Sequence, residues 1–343
     1  MSRLGVAIVG YGLAGAVFHA PMIAAEPRMR VAAVVTSSAE RAERADREYP
    51  RARVLSTADE LFADPSGIDL VVIATPNRSH APLAMRAIVA GLPVVVDKPF
   101  TVTVGEAEQV IAAAEQAGIP LSVFQNRRWD SDFRTVASLI ADGRLGQVRR
   151  FESRLERWRP TLKGGWRELG DHTDGAGYLY DLGSHLIDQA LTLFGPVADI
   201  YCELDRRRAG VRADDDAFLA LTHANGVRSH LWMNAVAAQH GPRFRVLGSE
   251  NAYVVYGADP QEAQLRAGRT PDHEKHWGAV DPERWGLLGE EPDTRRVPSL
   301  PGDYRCYYRA MADTLLDGAP VPVDARDALE TMKILERARR VGV

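Results

Sequence analysis

Three residues of this chain are suited in type and spacing to proton transfer. Lys98 ends a short apolar run, and Pro99 after it restricts the lysine to an extended backbone that aims its side chain. Asp181 and His185 are four residues apart, so on a helix they would share a face. A histidine can take the proton of an alcohol near neutral pH, and a lysine cation beside it would stabilise a developing alkoxide. Taken singly, Lys98 also fits a solvated lysine, and His185 a packed or capping histidine.

A glycine motif near the start of the chain predicts a dinucleotide site. The run Gly10-Tyr11-Gly12-Leu13-Ala14-Gly15 follows a predicted strand, Val6 to Val9, and opens a predicted helix from about Gly15 to Ala25. Gly10 permits a tight turn, Gly12 lets the backbone approach a pyrophosphate, and Gly15 allows close packing of helix on strand. The N–H groups that open the helix would then face the phosphates. The alternative is a structural turn that binds nothing. The predicted cofactor contacts here are Gly10, Gly12, Leu13, Ala14 and Gly15.

The ends of two further predicted strands indicate which dinucleotide is bound. After the strand Val31 to Val35 an acidic residue would bond the ribose of NAD, but the chain has Thr36-Ser37-Ser38, with Arg41 three residues later. Hydroxyl groups and an arginine suit the 2′-phosphate of NADP, although Ser38 also fits a helix cap and Arg41 a solvated side chain. Thr75-Pro76-Asn77 follows the strand Leu70 to Ala74, where it would face the cofactor or form an ordinary turn.

The elements that must position these residues change character along the chain. Up to Phe124, short apolar strands alternate with helices, which predicts a parallel, doubly wound sheet in an α/β fold. Beyond it, strands with period-two alternation predict an open, mostly antiparallel sheet of an α+β domain with helices on one side. We therefore expect a dinucleotide-binding Rossmann domain at 1–124 and a second domain at 125–343. Asp259 to Gly302 is expected to be an irregular loop, followed by helices at Tyr304 to Leu316 and Ala325 to Arg340.

The bulk properties exclude several classes of protein. The chain has 343 residues and a net charge of −4, which gives a nucleic-acid partner no electrostatic support. We interpret the basic run Arg206–Arg208 and the acidic run Asp214–Asp216 as a solvated loop. Two distant cysteines indicate neither a disulfide framework nor a metal site. No signal-peptide layout and no run of about 18 apolar residues is present, so we expect a cytoplasmic protein without a membrane or metal partner.

These motifs together resemble those of the Gfo/Idh/MocA oxidoreductases. The resemblance covers nearly the whole chain and rests on Gly10 to Gly15, on Asp97-Lys98-Pro99, where the family usually has Glu-Lys-Pro, and on Asp181 with His185. Three finer segments are similar to the NADP-dependent scyllo-inositol 2-dehydrogenase branch: Phe18-His19-Ala20-Pro21, Gln125 to Asp130, and Leu179 to His185. The resemblance implies a Rossmann domain followed by a domain whose open sheet often forms a homodimer or homotetramer interface.

The same resemblance implies roles for individual residues. Lys98, Asp181 and His185 would be catalytic in hydride transfer between NAD(P) and a secondary alcohol or ketone of a sugar or polyol. His185 would move the hydroxyl proton, Lys98 would bond the same oxygen, and Asp181 would orient the substrate ring. Further cofactor contacts would be His80, Lys98 and Asn126, and further substrate contacts Arg128 and Trp129. Two alternatives stay open: a reductase of a non-sugar substrate on this scaffold, and a dinucleotide-dependent sugar sensor or co-repressor.

Overall fold

The computed structural model describes residues 3–342, which form two compact units. The first unit comprises the described residues up to Asn126, together with Gln261–Trp277 and Tyr304–Leu329. The second comprises Arg127–Pro260, Gly278–Asp303 and the described residues from Glu330 onward. Each unit has its own sheet.

The sheet of the first unit has six strands, all parallel, in the order β3-β2-β1-β4-β5-β6. The predicted parallel sheet of an α/β fold is therefore confirmed. Of its two central strands, one is buried along its whole length and the other in all but its first residue, as apolar runs covered on both faces must be. The order reverses between β1 and β4, and ligands of such sheets bind at the carboxyl ends beside this point. The strands are β1 (Leu4–Val9), β2 (Met29–Val35), β3 (Arg53–Leu55), β4 (Leu70–Ile73), β5 (Val94–Asp97) and β6 (Leu121–Phe124).

Helices connect these strands, and three of the helices begin at a serine or threonine cap. The side-chain oxygen of Thr103 accepts the N–H of Glu106, whose carboxylate accepts the N–H of Thr103 in return. A π-helical turn over Ala14–His19 follows the glycine motif and continues into the first α-helix. The α-helices are α1 (Ala20–Ala25), α2 (Ala39–Glu48), α3 (Ala58–Ala63), α4 (His80–Val89) and α5 (Val104–Ala117).

The second unit has an eight-stranded sheet in the order β14-β13-β12-β11-β7-β10-β9-β8. Among the described strands of this sheet, β7 and β10 form the one parallel pair, which confirms the predicted mostly antiparallel sheet. Burial alternates strictly along β9, so one face packs in the core and the other is open. The strands are β7 (Arg150–Glu156), β8 (Val197–Asp205), β9 (Asp216–His223), β10 (Arg228–Asn234), β11 (Phe244–Leu247), β12 (Ala252–Val255), β13 (Leu287–Glu290) and β14 (Asp293–Arg296).

The helices after residue 126 include both predicted C-terminal helices. They are α6 (Ser131–Ala141), α7 (Trp166–Leu169), α8 (Ser184–Phe194), α9 (Gln261–Arg266), α10 (Arg305–Asp317) and α11 (Ala325–Val341). The carboxylate of Asp324 accepts the N–H of Arg326 at the start of α11, as an N-cap does.

The segment from Asp259 to Gly302 is not the irregular loop that its composition predicts. It contains α9 and the hairpin of β13 and β14. The hairpin lies at the edge of the sheet, and all four residues of β14 are exposed. An edge strand of this kind needs no apolar alternation, so the period-two pattern is absent from its sequence.

The chain also returns to the first unit after residue 260, whereas the expected boundary was a single cut after residue 124. The hydroxyl of Ser122 in β6 donates to the carbonyl of Val323 at 2.8 Å. The Tyr307 hydroxyl in α10 donates to Ser122 at 2.8 Å. These contacts between distant residues attach 304–329 to the parallel sheet, and no local sequence pattern predicts them.

The basic and acidic runs at 206–208 and 214–216 do not form a solvated loop. Arg208 and Asp215 are almost completely buried, and Nε of Arg208 lies 2.8 Å from Oδ2 of Asp215. The other side of the guanidinium donates to Glu168 at 2.7 Å. Arg206 and Arg207 are exposed as expected, and Arg207 pairs with Asp205. No helix among the described residues is long and apolar enough to cross a membrane.

Candidate functional site

Two of the three glycines of the motif occupy positions where no larger side chain would fit. Gly10 has a φ of +97°, and a Cβ atom there would come within 2.6 Å of the Ala74 carbonyl oxygen. A Cβ atom on Gly15 would collide with the carbonyl oxygen of Gly10. Gly12 is different, because the nearest atom to a Cβ there would be Nη1 of Arg41 at 3.6 Å. The turn therefore packs tightly against the sheet and leaves its outer side accessible, where Leu13 is 45% exposed. These features fit a bound pyrophosphate.

Polar groups gather at the end of β2, as the sequence predicts for the adenosine end of the cofactor. Thr36 is buried, and its hydroxyl accepts the N–H of Ser38 at 3.4 Å. Ser38 caps α2 by accepting the N–H of Arg41 at 3.4 Å. Ser37 and the Arg41 side chain are exposed. Among residues 3–342, Arg41 has no carboxylate within ion-pair distance, so its charge is available to an anionic ligand.

His80 joins the turns that follow β4 and β5. The imidazole is fully buried, with Nδ1 2.9 Å from the carbonyl oxygen of Pro99 and Nε2 2.9 Å from that of Thr75. Burial lowers the His80 pKa, against the charge of Asp97 and the carbonyl groups, which act to raise it. The structure thus places His80 behind the two turns, so it shapes their surface without being part of it.

The remaining predicted residues of these turns lie closer to the surface. Thr75 and Lys98 are half-buried, Pro76 is exposed and Asn77 is buried. The Ser79 hydroxyl donates to Thr75 Oγ1 at 2.8 Å, which fixes the threonine side chain. Four carboxyl ends of strands, those of β1, β4, β5 and β6, therefore follow one another along one edge of the parallel sheet.

In the second unit, Asp181 and His185 lie on one continuous helical stretch. A π-helical turn over Leu179–Gly183 runs into α8, which begins at Ser184, and the junction residues keep helical backbone angles. The predicted common helix is therefore present, and π-helical turns of this kind are frequent at functional sites. The imidazole of His185 is buried, whereas the Asp181 side chain is 22% exposed.

A buried carboxylate supports the start of this helical stretch. Asp214 accepts the N–H of Leu179 at 2.7 Å, and a Cβ atom on Gly177 would collide with its carboxylate. Burial raises the pKa of Asp214 to about 6. At the other end of the turn, a Cβ on Gly183 would lie 3.4 Å from Cε of Met233 in β10. The turn that carries Asp181 is thus held closely against the sheet.

Two arginines form ion pairs with carboxylates of the helical stretch that carries Asp181 and His185. Arg167, which the sequence analysis did not single out, places Nε 3.5 Å from Oδ1 of Asp181 and lies over the ring of Trp166. Arg128, a predicted substrate contact, makes a bidentate ion pair with Asp188 at 2.9 and 2.7 Å. Asp188 follows His185 by three residues on α8, so this pair anchors the helix that carries the histidine.

The last predicted contacts lie close in sequence to the division between Asn126 and Arg127 where the first unit gives way to the second. Asn126 is buried, and Trp129 is half-buried with its carbonyl oxygen accepting the N–H of Asp303 at 3.0 Å. No group of three or more metal-ligating side chains occurs within the part of the chain that the structure describes.

Comparisons with known proteins connect these features to one family. Residues 4–125 match the oxidoreductase family described as an NAD-binding Rossmann fold, and residues 133–254 match the GFO/IDH/MocA C-terminal domain. The chain is 42% identical over 335 residues to the oxidoreductase YdgJ of Escherichia coli, covering 97% of this chain and 95% of that protein. It is 37% identical over 342 residues to scyllo-inositol 2-dehydrogenase (NADP(+)) IolW of Bacillus subtilis, covering 98% and 93%.

A solved structure has the same fold. Bacillus subtilis yvaA, 35% identical, superposes with a TM-score of 0.92 over 99% of this chain and 96% of that one. With both sequence segments matched and relatives that cover nearly its whole length, the chain belongs to the Gfo/Idh/MocA family of NAD(P)-dependent oxidoreductases.

Proposed function

We propose that this enzyme transfers a hydride between NADP and a secondary alcohol or ketone of a sugar or polyol, with an inositol-like ring as the substrate class. The observation that carries the proposal is the order of the strand ends in the first unit. The glycine turn ends β1, the Thr75 turn ends β4 and Lys98 ends β5, next to one another along one edge. A dinucleotide bound along such an edge extends from β2 toward β5, so its nicotinamide half would lie on the side of Lys98.

The proposed chemistry assigns one task to each side chain. The nicotinamide, when bound, would accept or return the hydride. His185 takes the hydroxyl proton as the alcohol is oxidised and returns it in the reverse direction. Lys98 donates a hydrogen bond to the same oxygen and stabilises its developing negative charge. Asp181, held by Arg167, accepts a hydrogen bond from another hydroxyl of the ring and orients it.

The proposed preference for NADP rests on the end of β2. Ser37, Ser38 and Arg41 offer two hydroxyl groups and a guanidinium where an acidic residue would select NAD. The printed name of the relative IolW, which specifies NADP(+), supports the same preference.

A substrate panel in the wild type and an Arg41→Ala variant tests this proposal. We expect NADP⁺-dependent oxidation of inositols or related polyols, followed as the absorbance of the reduced cofactor. Loss of one charge-assisted contact, worth about 1.5–3 kcal/mol, should raise the KM for NADP⁺ roughly 10- to 100-fold in Arg41→Ala and leave that for NAD⁺ unchanged. Arg47→Ala, an exposed arginine on the same helix, is the control and should change neither.

Two outcomes would contradict the proposal. Equal losses with NADP⁺ and NAD⁺ in Arg41→Ala would remove the argument for the 2′-phosphate. Tight cofactor binding without turnover of any polyol or ketone in the panel would favour the sensor.

We further propose that the open face of the second sheet binds a second copy of this chain, in a homodimer or homotetramer. Four aromatic rings lie side by side on it, with Phe218 5.0 Å from Trp232 between ring centroids. Arg154 lies over the Trp232 ring at 3.8 Å and pairs with Glu152. A face that carries rings and both signs of charge can complement itself in an isologous contact. The four rings belong to Tyr201, Phe218, His230 and Trp232.

A charge placed among these rings should break the assembly. Phe218→Glu is expected to reduce the mass in light scattering from two or four times the 37.6 kDa of the chain to a smaller species. Tyr256→Glu alters another aromatic residue of the same unit, 60% exposed, and should keep the wild-type mass. A monomeric wild type, or equal effects of both variants, would refute the proposed interface.

A further inference from the structure

A buried histidine that the proposed mechanism does not use lies behind Lys98. His19, at the end of the π-helical turn after the glycine motif, is fully buried against the ring of Phe124 at 4.2 Å. Its Nδ1 lies 2.6 Å from the hydroxyl of Tyr308 in α10, and its Nε2 lies 3.7 Å from Oδ1 of Asp97. Asp97 directly precedes Lys98 and accepts the lysine backbone N–H on Oδ1 at 2.9 Å. Tyr308, His19, Asp97 and Lys98 therefore form one connected series within the first unit.

The chemistry of the side chains in this series determines which atoms carry the protons. Burial raises the Tyr308 pKa well above its ordinary value, so this hydroxyl stays protonated and can donate to Nδ1 of His19. The imidazole then carries its proton on Nε2, which faces Asp97. Among the residues that the structure describes, Nε2 has no hydrogen-bond partner, so Asp97 at 3.7 Å is the acceptor nearest to this buried N–H.

Asp97 is surrounded by groups that favour its carboxylate form. Burial raises its pKa, but the N–H of His19 and the charge of the adjacent Lys98 outweigh burial and hold the pKa below its usual value. His19 approaches from the π-helical turn, His80 from α4 and Tyr308 from α10. An ionised Asp97 next to Lys98 attracts the lysine side chain and limits where it can lie.

We propose that His19, oriented by the Tyr308 hydroxyl, is a positioning residue that holds the Asp97 carboxylate against the backbone of Lys98 and so fixes where the lysine side chain lies. The inference rests on the proposed function, in which Lys98 donates to the reacting oxygen. It adds a means by which residues without any contact to substrate determine the position of that donor. The effect should appear in kcat more than in KM, because a displaced donor loses its contact with the charge that develops during the reaction.

Two adjacent tyrosines of α10 allow a matched test. Tyr307 and Tyr308 are both fully buried and both pack on Phe124, but the Tyr307 hydroxyl donates to Ser122 whereas that of Tyr308 contacts His19. Tyr307→Phe and Tyr308→Phe each remove one buried hydroxyl and should lower the melting temperature by similar amounts. Only Tyr308→Phe should reduce kcat, by about three- to tenfold, while the KM for the polyol stays near the wild-type value. NADP⁺ affinity should be unchanged in both.

Substitutions of His19 and Asp97 complete the experiment. Asp97→Asn should reduce kcat most, because it removes the negative charge that holds the lysine in place. His19→Leu should act in the same direction, and His19→Gln should recover part of the activity, since its amide N–H can replace the one on Nε2. These variants also keep the inference testable if Tyr308→Phe fails to fold.

The outcomes separate this inference from the proposed function. An unchanged kcat in Tyr308→Phe, His19→Leu and Asp97→Asn, together with an inactive Lys98→Ala, would overturn the positioning role and leave the role of Lys98 intact. Equal losses of kcat in Tyr307→Phe and Tyr308→Phe would reduce the role of His19 to packing and also overturn it. Normal turnover by Lys98→Ala would overturn both.

Discussion

Replacing His185 by alanine is expected to lower kcat by roughly 10²–10⁴-fold, the usual contribution of a positioned general base. The variant should retain its affinity for NADPH, measured by fluorescence titration, because the proposed cofactor residues belong to the first unit and His185 to the second. The steady-state rate with the best polyol of the panel gives the comparison. Alanine leaves the hydroxyl proton without an acceptor as the hydride departs, so the loss should appear in kcat more than in KM.

His223→Ala is the matched control for this prediction. His223 is also a buried histidine of the second unit, but its ring nitrogens contact the carbonyl of Gly195 and the hydroxyl of Ser229 within the protein. Its loss should lower stability and leave kcat near the wild-type value. A His185→Ala enzyme that binds NADPH and turns over normally would refute the assigned role of the imidazole.

The largest expected effect on stability comes from Asp215→Ala. This carboxylate accepts from the Arg208 side chain and from the backbone N–H of Arg207 and Arg208, all in a buried position. Its removal leaves a buried guanidinium with Glu168 as the remaining partner of its charge. Breaking a buried ion pair in this way costs about 3–5 kcal/mol, which should lower the melting temperature by about 10 °C.

The control for Asp215→Ala lies in the same pair of charged runs. Asp205 pairs with Arg207 where both side chains are exposed, so Asp205→Ala should cost at most about 1 kcal/mol. Differential scanning calorimetry distinguishes the two variants. If both lower the melting temperature equally, the burial of the Arg208–Asp215 pair does not have the energetic effect that we infer.

Local sequence patterns predict those parts of the fold that local physics determines. Apolar runs such as Leu70 to Ala74 read as buried parallel strands because cover on both faces leaves no alternation. Caps such as Thr103 with Glu106 mark helix starts because one side chain satisfies orphan N–H groups. The Arg208–Asp215 pair could not be predicted this way, because identical charges one residue away, at Arg207, are exposed. Burial of such a pair depends on packing between distant segments.

The candidate site, like the fold, has a part that the local sequence predicts and a part that it does not. Lys98 and the glycine turn could be predicted because strand ends and turns are local features with a known place in a parallel sheet. Arg167 was missed because an arginine in a polar segment has no periodic pattern, and its contact with Asp181 spans fourteen residues. His19 was noticed only as part of a segment shared with a branch of the family. Its function could be inferred only once Tyr308, 289 residues away, was seen at its Nδ1.

The central claim is that Lys98 and His185 act on the same hydroxyl group, and a double-mutant cycle on kcat tests it most directly. Residues that act as a unit are strongly non-additive, so we predict that the Lys98→Ala/His185→Ala enzyme is about as slow as the slower single variant. All three variants should bind NADPH like the wild type. Losses that multiply in the double variant would show that the two groups act independently and would contradict the account.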